Sequence, residues 1–310
     1  MFELSFIWAG IIAFSVLSYV VLDGFDLGVG ILFPLADDER EKATMMNSIA
    51  LIWDGNETWL VLGGGGLFAV FPLAYAVIMP ALYMPIILML LALIFRGVAF
   101  EYRWRTQRRK PVWNVAFFGG SIVAAFMQGI ALGALVQGIE FADRANAGGW
   151  WDWLIMKTEG SLQRRMQSHA WWLAASTLGF IGIVSILTPF QDPEYFQRWL
   201  NLPGSIFSVL MPGAVLAAAW TLFTGQNAGR DAQPFFAAQS IFVLCFIGIG
   251  ISFYPNIVPP SLTIVEAAAP DESLRFTLYG TAVLVPMILA YTAYAYWVFR
   301  GKINPDEGYH

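Results

Sequence analysis

The sequence predicts an all-α polytopic membrane protein. Its 310 residues are 58% hydrophobic and only 13% charged, and they include 25 Phe and 13 Trp. The mean hydropathy of +0.61 arises from continuous apolar runs, several of which approach the roughly 20 residues that cross a bilayer as a helix. A membrane β-barrel would instead alternate apolar and polar residues over stretches of about 10 residues. The continuous runs therefore favour transmembrane helices.

Eight transmembrane helices are readable along the chain. They lie at about 5–33, 49–71, 78–100, 113–138, 168–190, 204–224, 234–254 and 276–299. The first is expected to be retained, because the residues before it lack the basic segment of a cleaved signal peptide. The linker 254–275 contains four Pro and is expected to be an ordered extracytoplasmic loop. Two groups of four helices predict an N-terminal bundle over 1–139, which carries the acidic motifs, and a C-terminal bundle over 140–310.

The distribution of basic residues predicts the orientation of the chain. The loop at 101–111 holds five basic residues, so the positive-inside rule places it in the cytoplasm and the N-terminus outside. With eight crossings, most later basic residues, such as Arg230, would lie outside; a further crossing between 140 and 157 would bring them inside. The only apolar stretch there, Trp150–Met156, is too short to span. Either this segment is interfacial and the topology is unusual, or one helix is absent near 147–157, which we favour.

Two carboxylates, Asp23 and Asp26, lie at the end of the first apolar segment. Their spacing places them on one face of a helix, and Gly24 and Gly28 admit a close neighbouring helix. An ionisable side chain costs about 2.5–3.5 kcal/mol at the bilayer centre, so those that remain usually face a bundle interior, where they relay protons or bind ions. The alternative is that both acids anchor the helix end at the membrane interface.

A second acidic pair, Asp54 and Glu57, opens the next span within the Trp-flanked stretch Trp53–Trp59. Neighbouring acids in a medium of low dielectric constant share protons, so the pair suits proton uptake. The alternative is helix capping, with Asp54 as the N-cap and Glu57 three residues later in a capping box. Capping and a proton relay are compatible.

Three further features of the apolar segments have structural interpretations. Arg96, near the cytoplasmic end of the third helix, either pairs with one of the acids or extends to the interface. Four consecutive glycines, Gly63–Gly66, indicate close helix contact. Gln128 and Gln137 are expected to form hydrogen bonds between helices.

The chain is poor in residues that ligate metals. It contains two His, His169 and His310, and one Cys, Cys245. These cannot supply the paired His ligands of a haem or a Cys cluster, and Met in apolar helices usually serves packing. We therefore expect no metal site in the chain and any redox metal to be held mostly or wholly by a partner.

Several motifs carry a family resemblance. The stretches are Leu22–Gly30 (LDGFDLGVG), Trp53–Leu60 (WDGNETWL), Phe95–Arg103 (FRGVAFEYR), Trp153–Gly160 (WLIMKTEG) and Tyr291–Tyr294 (YTAY). Together they resemble subunit II of the cytochrome bd quinol oxidases, including its cyanide-insensitive branch. The family has nine helices, and its KTEG motif ends the fifth. Here that motif follows a short loop, which is the same gap that the basic residues indicate.

The resemblance implies a multi-pass subunit of a complex in the bacterial plasma membrane that oxidises quinol and reduces O2 to water. Haems b and d, or a b haem in place of d, belong to the partner subunit I. This chain is then the haem-free subunit, without a catalytic centre of its own, that supports assembly. A small single-helix accessory subunit is a further expected partner, and a structural quinone, which some members bind in subunit II, is an expected ligand.

The resemblance also implies roles for particular residues. Asp23, Asp26, Asp54 and Arg96 are candidates for a cytoplasmic proton pathway, to which the spacing argument adds Glu57. An oxygen route of the family begins near the tryptophan that matches Trp59. A proton-coupled secondary transporter is the principal alternative function, because paired intramembrane acids also mark coupling-ion sites. A purely structural membrane anchor is the third.

Overall fold

The structure, a computed structural model, is helical over nearly all of the chain that it describes, which confirms the all-α class. It describes residues 4–106, 108–136, 171–172, 174–179, 181–183, 185–186, 199, 204–259 and 262–298. The predicted gap near 147–157 lies outside these ranges, as do Gln137, His169 and His310. The predicted division into bundles at 1–139 and 140–310 stays a prediction.

The N-terminal part consists of helices joined by short turns. They are α1 (Leu4–Leu32), a 3₁₀ turn (Phe33–Leu35), α2 (Glu39–Ile49), α3 (Trp53–Val70), α4 (Pro72–Ala81), α5 (Tyr83–Arg105) and α6 (Lys110–Val136). The C-terminal part comprises α7 (Gly204–Asn227), α8 (Ala232–Phe253), β1 (Asn256–Val258), β2 (Leu262–Thr263), α9 (Ile264–Ala267) and α10 (Asp271–Val298). The strands pair antiparallel in the predicted Pro-rich loop.

Six helices of the described chain are long and apolar enough to cross a membrane. They correspond to six of the eight predicted spans. The predicted span at 49–71 is a shorter helix, α3, of 18 residues, whose polar first turns and four glycines keep it outside this group. Much of the predicted span at 168–190 lies outside the described residues, although those described between 171 and 186 are helical.

Helix α2 was not predicted, because it is short and amphipathic rather than apolar. The Asp38 side chain caps it by accepting a hydrogen bond from the Glu41 amide at 2.7 Å. Its last turns bury Met45, Met46 and Ile49 against the bundle. The chain therefore forms a surface helix at the end of α1 before it enters α3.

Contacts at opposite ends of the bundle fix the directions of α1, α8 and α10. At one end, the Trp8 indole donates a hydrogen bond to the Leu274 carbonyl at 3.1 Å, which joins the starts of α1 and α10. At the other end, the Phe25 ring lies 6.1 Å from the ring of Phe235, near the start of α8, and 6.3 Å from that of Tyr296, near the end of α10. Helices α1 and α10 therefore run parallel to each other and antiparallel to α8.

Contacts of α3 show at which end of the bundle the connecting loops lie. Val70, at the end of α3, shares an apolar cluster with Trp8, whereas Trp53, at its start, stacks on Phe100 near the end of α5 at 5.1 Å. The α5–α6 loop and the α7–α8 turn, which contains Arg230, thus lie at the end where α1 and α10 finish. A topology of only eight crossings puts Arg230 on the opposite side from the α5–α6 loop and does not agree with this arrangement.

Candidate functional site

Asp23 and Asp26 lie in the interior of the bundle, in the last turns of α1. Both side chains are fully buried. The helices around them approach closely at glycines: a methyl group on Gly30 would meet the Ser121 side chain of α6, and one on Gly120 would lie 2.6 Å from the Ala92 carbonyl oxygen of α5. The burial of both side chains among α1, α5 and α6 does not agree with the alternative that these acids anchor the helix end at the membrane interface.

Arg96 of α5 is the counter-charge of the cluster. Its guanidinium is 0% exposed, so it does not extend to the interface. Its Nη1 lies 3.0 Å from Asp23 Oδ1 and 3.3 Å from Glu57 Oε1, and its Nη2 lies 3.8 Å from Asp26 Oδ2. The structure thus brings together four of the five predicted proton-pathway residues. We name Asp23, Asp26, Glu57 and Arg96 the acidic cluster.

Asp54 lies outside the acidic cluster, on the exposed side of α3. The alternative of a capping box with Asp54 as the N-cap does not hold, because the helix begins at Trp53 and its N-cap residue, Ile52, makes no side-chain capping bond. Asp54 is therefore inside the first turn, where a carboxylate complements the helix dipole. Glu57, one turn later, points inward and keeps 25% of its side chain exposed.

Asn56 and Tyr296 complete the site and were missed by sequence reasoning. The Asn56 Nδ2 atom donates to Asp26 Oδ2 at 2.8 Å and to the Leu22 carbonyl oxygen at 3.2 Å. The Tyr296 hydroxyl of α10 donates to Asn56 Oδ1 at 3.2 Å. The only sequence signal for Asn56 was its place between Asp54 and Glu57, whereas nothing local marked Tyr296.

Tyr19 and Gln128 extend the polar interior beyond Asp23. Tyr19 lies one helical turn before Asp23 on the same face of α1 and is 4% exposed. Gln128 of α6 donates a hydrogen bond to the Tyr19 hydroxyl at 2.7 Å. This confirms the predicted interhelical hydrogen bond of Gln128.

Trp59 is buried between α1 and α3. It is 0% exposed, and its ring meets the edge of Phe14 at 5.6 Å. Of the glycines that follow it, Gly63 and Gly66 face α1, whereas added methyl groups on Gly64 and Gly65 would meet nothing within 4 Å. The predicted close contact therefore holds for half of the glycine run. The oxygen route near Trp59 stays a prediction.

Several polar atoms of the acidic cluster are not engaged in hydrogen bonds. Within the described chain, Asp23 Oδ2, Asp26 Oδ1, Arg96 Nε and Arg96 Nη2 have no hydrogen-bond partner. Three carboxyl groups also share a single guanidinium. Carboxyl groups in such a setting are ones that can bind and release protons.

The described residues form no cluster of His, Cys, Asp or Glu side chains that resembles a metal site, since no group of three such side chains could bind a metal ion. Cys245 is half-buried in α8 and is not in a disulfide. The expectation that a partner holds the haems stays a prediction.

Comparisons with known proteins give the family. The family model described as "Cytochrome bd terminal oxidase subunit II" matches residues 4–154 and 151–299. Cytochrome bd-I ubiquinol oxidase subunit 2 of Escherichia coli K12 is 29% identical, over 98% of this chain and 96% of its own length. Cytochrome bd ubiquinol oxidase subunit 2 of Bacillus subtilis is 27% identical, over 97% of each chain. A chain of the bd oxidase structure from Geobacillus thermodenitrificans has the same fold, with a TM-score of 0.77 at 14% identity, over 96% of this chain and 98% of its own.

The matches also bear on the predicted gap near 147–157. The two matched segments meet at residues 151–154, inside that stretch. The alignment with the E. coli relative runs over 368 positions, whereas this chain has 310 residues, so the relative carries residues that this chain lacks. The position where the two segments overlap agrees with an absent helix near 147–157, whereas the alignment length shows only that the relative is longer. The family resemblance is confirmed over nearly the whole sequence, and the chain belongs to the cytochrome bd terminal oxidase subunit II family.

Proposed function

We propose that this chain is the haem-free subunit II of a quinol:oxygen oxidoreductase of the bacterial plasma membrane and that it provides a proton pathway from the cytoplasm. Family membership makes it a component of a quinol oxidase complex that uses quinol and O2 together with a subunit I. The observation that carries the pathway is the acidic cluster, in which three carboxyl groups share one buried guanidinium. The relatives do not favour a transporter.

The orientation of the cluster supports uptake from the cytoplasm. Arg103 and Arg105 at the end of α5 and Arg230 in the α7–α8 turn lie at the same end of the bundle as the acidic cluster. Since basic loops stay on the cytoplasmic side, this end faces the cytoplasm and the N-terminus lies outside. The acidic cluster then lies near the cytoplasmic end of the bundle.

The solvent exposure of the four carboxyl groups decreases along a path into the bundle. Asp54 is exposed, Glu57 is a quarter exposed, and Asp23 and Asp26 are buried. A proton taken up at Asp54 would pass to Glu57, one turn deeper, and then to the aspartates of α1. Arg96 contacts this path from Glu57 to Asp23, where its charge stabilises whichever carboxylate has released the proton.

Haem binding is assigned to the partner. The described residues include no His, the side chain that most often ligates a haem iron, and this supports the assignment. We place haems b and d, or a b haem in place of d, in subunit I, where they supply the oxygen chemistry. An assembly role, a structural quinone and a small accessory subunit remain proposals that rest on the family alone.

Replacement of Glu57 tests the pathway, because its partial exposure makes Glu57→Gln a mild change. The expected result is slower quinol-dependent O2 consumption by the purified complex, with haem content unchanged. Glu101→Gln is the matched control, since Glu101 is an exposed acid of α5 near the same end, with 62% of its side chain exposed. Full turnover in Glu57→Gln would contradict the proton pathway and leave the family assignment intact.

A further inference from the structure

Among the described residues, the charges of the acidic cluster balance best with a bound proton. Asp23 and Asp26 are fully buried, Glu57 is mostly buried, and one guanidinium faces all three. Three ionised carboxylates would leave two uncompensated negative charges in a medium of low dielectric constant. A group in that position takes up a proton rather than remaining charged.

Geometry distinguishes the three carboxyl groups. Asp23 forms the shortest ion pair with Arg96, at 3.0 Å. Glu57 is hydrogen-bonded to the same Nη1 at 3.3 Å and is partly solvated. Asp26 is fully buried, lies 3.8 Å from Nη2, beyond hydrogen-bond distance, and accepts its described hydrogen bond from the neutral amide of Asn56. Asp26 is therefore the carboxyl group with the least compensation for a negative charge.

The surroundings of Asp26 contain no second cation among the described contacts. Asp23 faces it from α1, Glu57 and Asn56 from α3, Arg96 from α5 and Tyr296, through Asn56, from α10. Two of these groups are acids that repel a negative charge on Asp26. The single guanidinium is already engaged by both of them.

The orientation of the Asn56 amide is fixed from two sides. The Leu22 carbonyl oxygen has no proton to donate, so it requires Nδ2 on its side of the amide, and Nδ2 then also reaches Asp26. On the opposite side, Oδ1 accepts from the Tyr296 hydroxyl. Asn56 is 1% exposed, so bulk water does not compete for these bonds. Tyr296 thus holds the donor that Asp26 uses.

We propose that Asp26 is the carboxyl group of the acidic cluster that holds a proton at neutral pH, and that Tyr296 is a positioning residue that maintains this state through Asn56. The inference deepens the proposed proton pathway, on which it rests for its function. It assigns Asp26 as the site where the pathway stores a proton between transfers. Glu57 and Asp23 are the ionised neighbours of Asp26 between transfers, and Glu57 would deliver a proton only after taking one up from the cytoplasmic side.

Infrared difference spectroscopy on the purified complex tests this inference without using turnover. A pH step should produce a carbonyl-stretch band of a protonated carboxylic acid, with an isotope shift in D2O, and Asp26→Asn should abolish that band. Tyr296→Phe should shift the band, because it removes the hydroxyl that anchors Asn56. Tyr294→Phe is the matched control: Tyr294 lies on the same helix, is 64% exposed, and should leave the band unchanged.

Each outcome decides one part of the proposal. A band that persists in Asp26→Asn would overturn the assignment to Asp26. A band lost in Asp26→Asn but unshifted in Tyr296→Phe would overturn the positioning role. Failure of Asp26→Asn to assemble would also count against the proposal, because an amide closely matches a neutral carboxylic acid in shape and charge. The proposed pathway is judged separately, by the O2 consumption of Glu57→Gln.

Discussion

Arg96 Nη1 and Asp23 Oδ1 lie 3.0 Å apart in the bundle interior, although 73 residues separate the two in the sequence. Both side chains are essentially unexposed, so the pair joins α1 to α5 with almost no solvent screening. A buried pair of this kind adds little net stability over a well-packed apolar contact, but it is costly to break from one side. The pair therefore makes the two helices depend on each other.

Asp23→Asn is expected to destabilise the complex much more than Asp26→Asn. It removes the closest counter-charge of Arg96, and losing one partner of a buried ion pair costs up to about 3–5 kcal/mol. Asp26→Asn, one turn away, removes a group that we propose to be neutral. Thermal unfolding of the detergent-purified complex, monitored through the loss of haem, measures the difference. Equal transition temperatures for the two variants would contradict this ranking.

Arg103 is expected to be a second stabilising cation, at the cytoplasmic end. Its guanidinium is 1% exposed, donates to Asn114 Oδ1 at 2.7 Å and to Glu39 Oε2 at 2.8 Å, and lies 5.5 Å from the Phe33 ring centroid. Arg103→Ala should therefore cost about 2–3 kcal/mol, since it removes charge-assisted hydrogen bonds and a cation–π contact. Hydrogen exchange across α2 should accelerate in this variant.

Glu39→Gln provides the comparison for Arg103. The Glu39 side chain is 53% exposed, so its part of the pair is solvated and should contribute about 1 kcal/mol or less. Exchange in α2 should therefore change far less than in Arg103→Ala. If the two variants accelerate exchange equally, the pair with Glu39, rather than Asn114 and Phe33, holds α2 in place.

The charged residues of the acidic cluster could be predicted from the sequence, but the polar residues that contact them could not. The acids and Arg96 could be predicted because charge within an apolar run is conspicuous and needs a partner. Asn56 was visible only as a polar neighbour, and Tyr296 not at all, because its role depends on how α10 packs against α3. Helix α2 was missed for a different reason: it is short and amphipathic, so the search for long apolar runs passed over it although Asp38 supplies an N-cap.

The loop between α8 and α10 is expected to loosen in acid. Glu266 forms a capping box with Thr263 at the start of α9, and these hydrogen bonds lower the pKa of the Glu266 carboxyl below its ordinary value. Because the pKa is lower in the folded state, the carboxylate stabilises α9 above the unfolded pKa of about 4.3 and loses this effect as the pH falls further. Amide exchange of Ile264–Ala267 should therefore exceed its ordinary pH trend below that value.

Glu266→Gln is the control for this pH dependence. The amide keeps a hydrogen-bond acceptor but does not titrate, so exchange in α9 should follow the ordinary pH trend throughout. Glu272, an exposed acid in the first turn of α10, offers a matched site on the same side of the bundle. An acid-dependent loosening that persists in Glu266→Gln and disappears in Glu272→Gln would assign the effect to α10 instead.

Gly120→Ala is expected to disrupt the contact of α5 with α6 that encloses Arg96. A methyl group at this position would lie 2.6 Å from the Ala92 carbonyl oxygen and 3.1 Å from the Arg96 amide nitrogen. Both are backbone atoms, which cannot rotate away as a side chain would, so the helices must separate at a cost of about 1–3 kcal/mol. Gly119→Ala is the matched control, because a methyl group there meets nothing within 4 Å and alanine favours the helix. The complex should therefore unfold at a lower temperature in Gly120→Ala and at an equal or higher one in Gly119→Ala. Similar losses in both variants would indicate that helix flexibility, rather than close approach, explains these glycines.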